Sequence, residues 1–105
     1  MDAQLKRGLM DVCVLAAIRD GDAYGYQILK DMKPYLSLSE STLYTVLKRL
    51  ETAGLLTVRS EEHAGRLRKY YRITEAGRQR MAEFQAEWAE ILAIYRFITR
   101  GEEHG

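Results

Sequence analysis

Three observations predict a mainly α-helical fold with one small β-hairpin. The segment Ser39–Gly54 carries a 3-4-3 apolar stripe, hydroxyls at its front and cations behind, and a glycine stops it. Two β-favouring segments follow, joined by a charged, glycine-containing loop. An apolar heptad then runs from Met81 to Ile98. Three helices followed by a hairpin make a winged helix-turn-helix, and the heptad adds a long C-terminal dimerisation helix.

At 105 residues the chain can bury one modest core. No apolar run approaches the roughly 18 residues needed to span a bilayer. The start, MDAQLKRGLMDVCV, lacks the layout of a signal peptide, so a cytoplasmic protein with no membrane contact is expected. One cysteine, Cys13, cannot form an internal disulfide, which agrees with a reducing compartment. The net charge of +1 hides an asymmetry. Within residues 41–72, Lys48, Arg49, Arg59, Arg66, Arg68, Lys69 and Arg72 face only Glu51, Glu61 and Glu62. A basic patch on a nearly neutral chain suits docking to a polyanion, although charge alone does not separate that from a solvated surface.

The first helix is expected over residues 5–19. Leu5, Leu9, Val12 and Ala16 fall near one face and Val14, Leu15 and Ile18 on another, which implies burial on two sides, against the core and a partner. Asp20-Gly21-Asp22 ends it. A second helix is expected over Ala23–Tyr35, with Asp22 as N-cap and Pro34 near its end. Both Ser37 with Glu40 and Ser39 with Thr42 have cap spacing, so the third helix starts close to residue 40 and runs to about Ala53. Leu43, Val46, Leu47 and Leu50 pack it, while Ser41, Thr42, Tyr44, Thr45, Lys48 and Arg49 lie opposite. Hydroxyls can meet base edges and cations can meet phosphates in a major groove. An ordinary amphipathic surface helix would show the same pattern.

Leu55–Arg59 and Leu67–Thr74 read as strands around a loop, Ser60–Arg66, with Arg66, Arg68 and Lys69 placed to rest on a phosphate backbone. Thr74 caps the last helix and Glu75 suits its positive end. Met81, Phe84, Trp88, Ile91, Tyr95 and Ile98 follow at spacings 3, 4, 3, 4 and 3, with Leu92 widening the stripe. A helix from Glu75 to Ile98 is about 36 Å long, more than so small a domain covers, so the seam is assigned to a dimer interface, the alternative being an amphipathic helix folded back on its own core. The tail GEEHG is expected to fray.

No catalytic, cofactor or metal constellation is visible. His63 and His104 are far apart, no glycine motif cradles phosphate, and serine near residue 40 lacks histidine and acid partners. Cys13 reads as a core residue, with redox sensing as the alternative.

Three segments together carry a resemblance. Tyr24-Gly25-Tyr26-Gln27-Ile28 resembles the start of the second helix in PadR-family transcriptional regulators. Ser41-Thr42-Leu43-Tyr44, Leu47-Lys48-Arg49-Leu50-Glu51 and Gly54-Leu55 resemble that family's recognition helix. Arg68-Lys69-Tyr70-Tyr71-Arg72-Ile73-Thr74-Glu75-Ala76-Gly77 resembles its second wing strand and the start of its last helix. Thr45 departs from the proline of many members but matches short, multidrug-responsive members with a single C-terminal helix. The resemblance implies a homodimeric DNA-binding repressor of nearby genes, released by small molecules. In the multidrug-responsive members paired tryptophans sandwich flat aromatic ligands in a pore at the dimer interface. Trp88 matches that tryptophan and Val12 a pore-facing residue, whereas Leu92 stands where those members can carry an acid.

The expected division is a DNA-binding domain over 1–74, with helix 5–19 also at the dimer interface, and a dimerisation helix and tail over 75–105. The residues expected to meet DNA are Tyr24, Ser41, Thr42, Tyr44, Thr45, Lys48, Arg49, Arg66, Arg68 and Lys69. Those expected to face a flat aromatic effector are Leu5, Leu9, Val12, Trp88 and Leu92. The expected partners are operator DNA, bound as a palindrome, and a second copy of the chain. The competing possibility is a winged-helix protein-interaction module that binds no DNA. A hydrophobic dimer pore could also hold a substrate, but no side-chain set for turnover accompanies it.

Overall fold

The computed structural model describes residues 1–103; His104 and Gly105, the end of the expected frayed tail, lie outside it. The order of elements is α1 (Ala3–Ala17), β1 (Ala23–Tyr24), α2 (Gly25–Met32), α3 (Glu40–Thr52), β2 (Leu56–His63), β3 (Arg66–Ile73) and α4 (Glu75–Glu103). The expected class, mainly helical with a small sheet and a long last helix, is what the chain adopts.

α1 starts two residues earlier than its apolar pattern because Asp2 caps it, accepting from the Leu5 amide at 3.0 Å. It ends at Ala17, and Ile18–Asp20 form the turn. Ala23–Tyr24 was expected to open the second helix; instead it is a short strand. Tyr24 is extended, and the pair lies antiparallel to β3, Ala23 opposite Tyr71 and Tyr24 opposite Tyr70. Asp22 is therefore no cap. Its carboxylate receives Arg59 Nη2 at 2.8 Å and Arg72 Nε at 2.6 Å. α2 stops at Met32 rather than Tyr35, since Pro34 cannot donate to continue it; the amides of Tyr35 and Leu36 both close on the Met32 carbonyl.

α3 settles the choice of cap in favour of Ser39, whose Oγ accepts from the Thr42 amide at 3.1 Å. Leu43, Val46, Leu47 and Leu50 are all buried. At its end Leu55 N–H reaches the Leu50 carbonyl and Gly54 N–H the Glu51 carbonyl, a Schellman closure with Gly54 at φ 77°.

The sheet has three strands in the order β1-β3-β2, not the two-stranded ribbon expected. The connecting loop also shrinks. Ser60–His63 pair with Arg66–Lys69, leaving a two-residue turn at Ala64 and Gly65, both with positive φ. That geometry matches the right-handed twist of the flanking strands.

α4 is capped by Thr74, whose Oγ1 accepts from the Gly77 amide at 3.1 Å. It extends to Glu103, so residues 101–103 are helical rather than frayed. One core gathers α1, α2, α3, the inner ends of β2 and β3, and the start of α4. Met81 is 8% exposed within this core and Phe84 is half-buried against it. Met81 therefore cannot offer surface to a second copy, which corrects its place in the interface seam. From Leu92 on, α4 leaves the body of the molecule and its apolar residues are bare, Ile94 and Phe97 among them. The molecule measures 63 × 26 × 23 Å.

Candidate nucleic-acid interface and the cleft behind it

The basic segment folds into a groove of about 790 Å³ between the helices and the ribbon. Tyr24, Gly25 and Tyr44 form one wall, and Arg66, Leu67, Arg68, Lys69 and Tyr71 the other. Gly25 makes the first wall possible, because a Cβ there would lie 3.0 Å from the Tyr44 hydroxyl. Burial pushes the Tyr71 phenol up, so it stays protonated at the groove floor. Arg68 lies over the Tyr24 ring, 4.2 Å from its centroid, which fixes the guanidinium at the groove's edge.

Five of the residues expected to meet DNA, Tyr24, Tyr44, Arg66, Arg68 and Lys69, thus line one groove. Thr45, Lys48 and Arg49 lie beside it with Tyr44, on the outer face of α3. Lys48 is 79% exposed beyond a 3.6 Å ion pair with Glu51. Ser41 and Thr42 sit at the front of α3 in a hydroxyl cluster, where Ser39 Oγ lies 3.2 Å from Ser41 Oγ and donates to Thr42 Oγ1 at 2.8 Å. The Thr45 hydroxyl turns back onto its own helix, donating to the Ser41 carbonyl at 3.0 Å, so it presents a methyl rather than a free donor.

Arg49 departs most from expectation. Its guanidinium is drawn away from solvent by Asp11 of α1, with side-chain exposures of 28% and 18%. It ties two helices together, and its Nε has no hydrogen-bond partner among the described residues. The sequence separation of 38 residues hid this pair.

On the outer face of the sheet, the Arg72 and Arg59 guanidinia hold the Asp22 carboxyl below the usual carboxylate range, with Arg72 the stronger influence. Glu61 and then Asp22 raise Arg59 further above its ordinary value. Tyr70 packs edge-on to Tyr24 with centroids 6.0 Å apart, and Arg59 lies over Tyr70. These residues pin β1 to the ribbon. His63 and Leu67, the latter 80% exposed, also line the groove and were missed, because a strand with both faces in solvent shows no alternation to read.

A second depression of about 560 Å³ lies between α1 and α4. Leu5, Leu9 and Trp88 line it, together with Asp11, Arg80 and Phe84. The Trp88 and Phe84 rings are 6.0 Å apart, tilted by 45°. Of the residues expected to face an effector, Leu92 falls outside this lining and Val12 is 8% exposed in the core, because α1 turns that face inward. Cys13 is partly covered beside the core, and burial raises its thiol pKa, which makes it less reactive.

A capped reading helix, a ribbon carrying cations beside it and a long projecting helix define a winged helix-turn-helix protein of regulatory type. Residues 14–83 match the Transcriptional regulator PadR-like family, and the chain belongs to that family. The family is one of transcriptional regulators, not of enzymes. The Transcriptional regulator Rv3488 of Mycobacterium tuberculosis (strain ATCC 25618 / H37Rv) is 28% identical over 102 residues, covering 96% of this chain and 92% of that protein. A PadR-like transcription factor from Bacteroides fragilis is 31% identical and superposes with a TM-score of 0.82, covering 91% of this chain and 95% of its own. Bacillus subtilis PadR, solved in complex with operator DNA, is 26% identical with a TM-score of 0.69, covering 73% of this chain and 46% of its own. No helix among the described residues is long and apolar enough to cross a membrane.

Proposed function

We propose that the chain is a DNA-binding transcriptional repressor that acts as a homodimer and is released by a flat aromatic molecule held where α1 meets α4. One observation carries the DNA half. Arg66, Arg68 and Lys69 line the groove beside α3, and none has an acidic partner within ion-pair distance among the described residues. Arg59 and Arg72, on the same sheet, are tied to Asp22. Uncompensated cations are thus concentrated where α3 meets the ribbon, and a polyanionic duplex fits them. Tyr44 and Thr45 approach bases or neighbouring phosphates, while Lys48, Arg66, Arg68 and Lys69 neutralise phosphates. The operator complex of the Bacillus subtilis relative supports this use of the shared fold.

The bare apolar stripe of α4, from Trp88 to Ile98, is covered by a second copy. Residues 1–74 then form the DNA-binding unit and α4 the dimerisation helix. Pairing two copies sets two α3 helices about 34 Å apart, one turn of a palindromic operator. Trp88 offers an indole face to an aromatic guest in the α1–α4 cleft.

Replacing Arg68 and Lys69 together by alanine weakens binding to the duplex upstream of the protein's own gene. It also flattens the slope of log affinity against log salt by about 1.8, roughly 0.9 for each phosphate that is no longer neutralised. Unchanged affinity and slope would refute the groove assignment. Titrating Trp88 fluorescence with a panel of flat aromatic compounds tests the effector half; an emission that no compound alters counts against it.

A further inference from the structure

α3 is held at its C-terminal half by two attachments of different kinds. Towards α4 it is bolted through the backbone. Thr74 donates its hydroxyl to the Gly54 carbonyl at 2.7 Å and its amide to the Leu55 carbonyl at 3.1 Å. Gly77 packs so tightly that a Cβ there would stand 2.2 Å from the Leu55 oxygen. Towards α1 the polar tie is a side-chain ion pair, Arg49 with Asp11. Asp11 also lines the α1–α4 cleft with Leu5, Leu9 and Trp88, while Arg49 borders the outer face of α3 with Tyr44, Thr45 and Lys48. One ion pair thus spans from the cleft to the face proposed to read DNA.

We propose that the Asp11–Arg49 ion pair is the element that couples the α1–α4 cleft to the reading helix. The inference rests on the DNA-binding function proposed above and adds how the two sites communicate. A guest that parts α1 from α4 loads both attachments of α3. The backbone bolt has little slack, because Gly77 leaves no free volume beside the Leu55 carbonyl. The ion pair has two arrangements, joined and parted, and gives way first. Parting frees α3 to shift against α1 and changes the presentation of Tyr44 and Lys48. Coupling is reciprocal, so DNA on α3 alters the cleft by the same free energy that a guest in the cleft imposes on DNA.

That reciprocity gives a test without any effector, because Trp88 is the chain's one tryptophan and lines the cleft. Acrylamide quenching of Trp88 is measured with and without saturating duplex from upstream of the protein's own gene. The wild-type quenching constant changes on saturation. In Asp11→Asn the duplex still binds but the change is lost. Asp11→Glu serves as the conservative variant and retains the response. A response of wild-type size in Asp11→Asn, or none in wild type while DNA binds, overturns the coupling alone. A wild-type protein that binds no duplex overturns the proposed function and the coupling with it.

Discussion

α3 and α4 carry the same three-four apolar spacing, yet one stripe is covered and the other is bare. Leu43, Val46, Leu47 and Leu50 on α3 are at most 2% exposed, closed off by α1, α2 and the sheet. On α4 the one buried apolar side chain among the described residues is Met81, at 8%, and exposure rises from 37% at Trp88 to 67% at Ile98. The difference lies in reach rather than hydrophobicity. α3 is pinned at both ends, by the Ser39 cap and the Gly54 closure, and lies across the core. α4 touches the core with its first turns and then outruns it. An identical period therefore stabilises the fold in one helix and leaves an exposed apolar stripe on the other.

Leu47→Ala sharpens this contrast with the largest effect. Removing a fully buried side chain lowers unfolding stability by about 2–5 kcal/mol in a urea titration. Gly77→Ala tests the junction between the two helices. The added methyl has no space beside the Leu55 carbonyl, so stability falls by about 1–3 kcal/mol in the same titration.

The tie that pins β1 to the ribbon is sensitive to acid. Asp22 has a lowered pKa in the folded chain, so the unfolded chain binds its proton more readily. The stability Asp22 contributes is present above its ordinary carboxylate pKa and is lost as pH falls through the lowered folded value. Thermal melts over that acid range are steeper in pH for the wild type than for Asp22→Asn, and equal slopes would contradict the role given to Asp22.

Ile98→Glu has the smallest effect on the fold. At low protein concentration its unfolding free energy stays within about 0.5 kcal/mol of wild type, because the side chain touches no core. Sedimentation shows the proposed dimer weakened, and a wild-type chain that sediments as a monomer overturns that pairing. A loss of fold stability as large as that of Leu47→Ala would erase the distinction between the two helices.

The sheet shows where local pattern stops being informative. β3 was legible from Tyr70, Tyr71 and Ile73, whose β-favouring side chains sit beside turn residues. β1 was not, since two residues have no period and Ala23–Tyr24 is a strand only because the edge of β3 lies next to it. Ser60–His63 resembled loop for a related reason: with both faces in solvent, their side chains record no inside and outside. The candidate groove divides in the same way. Its cations were visible as a cluster along the chain, whereas His63 and Leu67 became part of it only when the turn at Ala64–Gly65 fixed the register.

The sequence by itself determined the four helices and the two-stranded ribbon, their order and the concentration of positive charge between residues 41 and 72, because periodicity, caps and charge are local properties of a chain. Only the tertiary structure decided that Arg49 answers Asp11, that Asp22 serves the sheet rather than a helix end, and that Met81 belongs to the core while Trp88 lines a cleft. Each of these joins residues far apart in the chain or depends on how far one helix reaches past the core. Such relations are set by packing in three dimensions, for which no local spacing is a record.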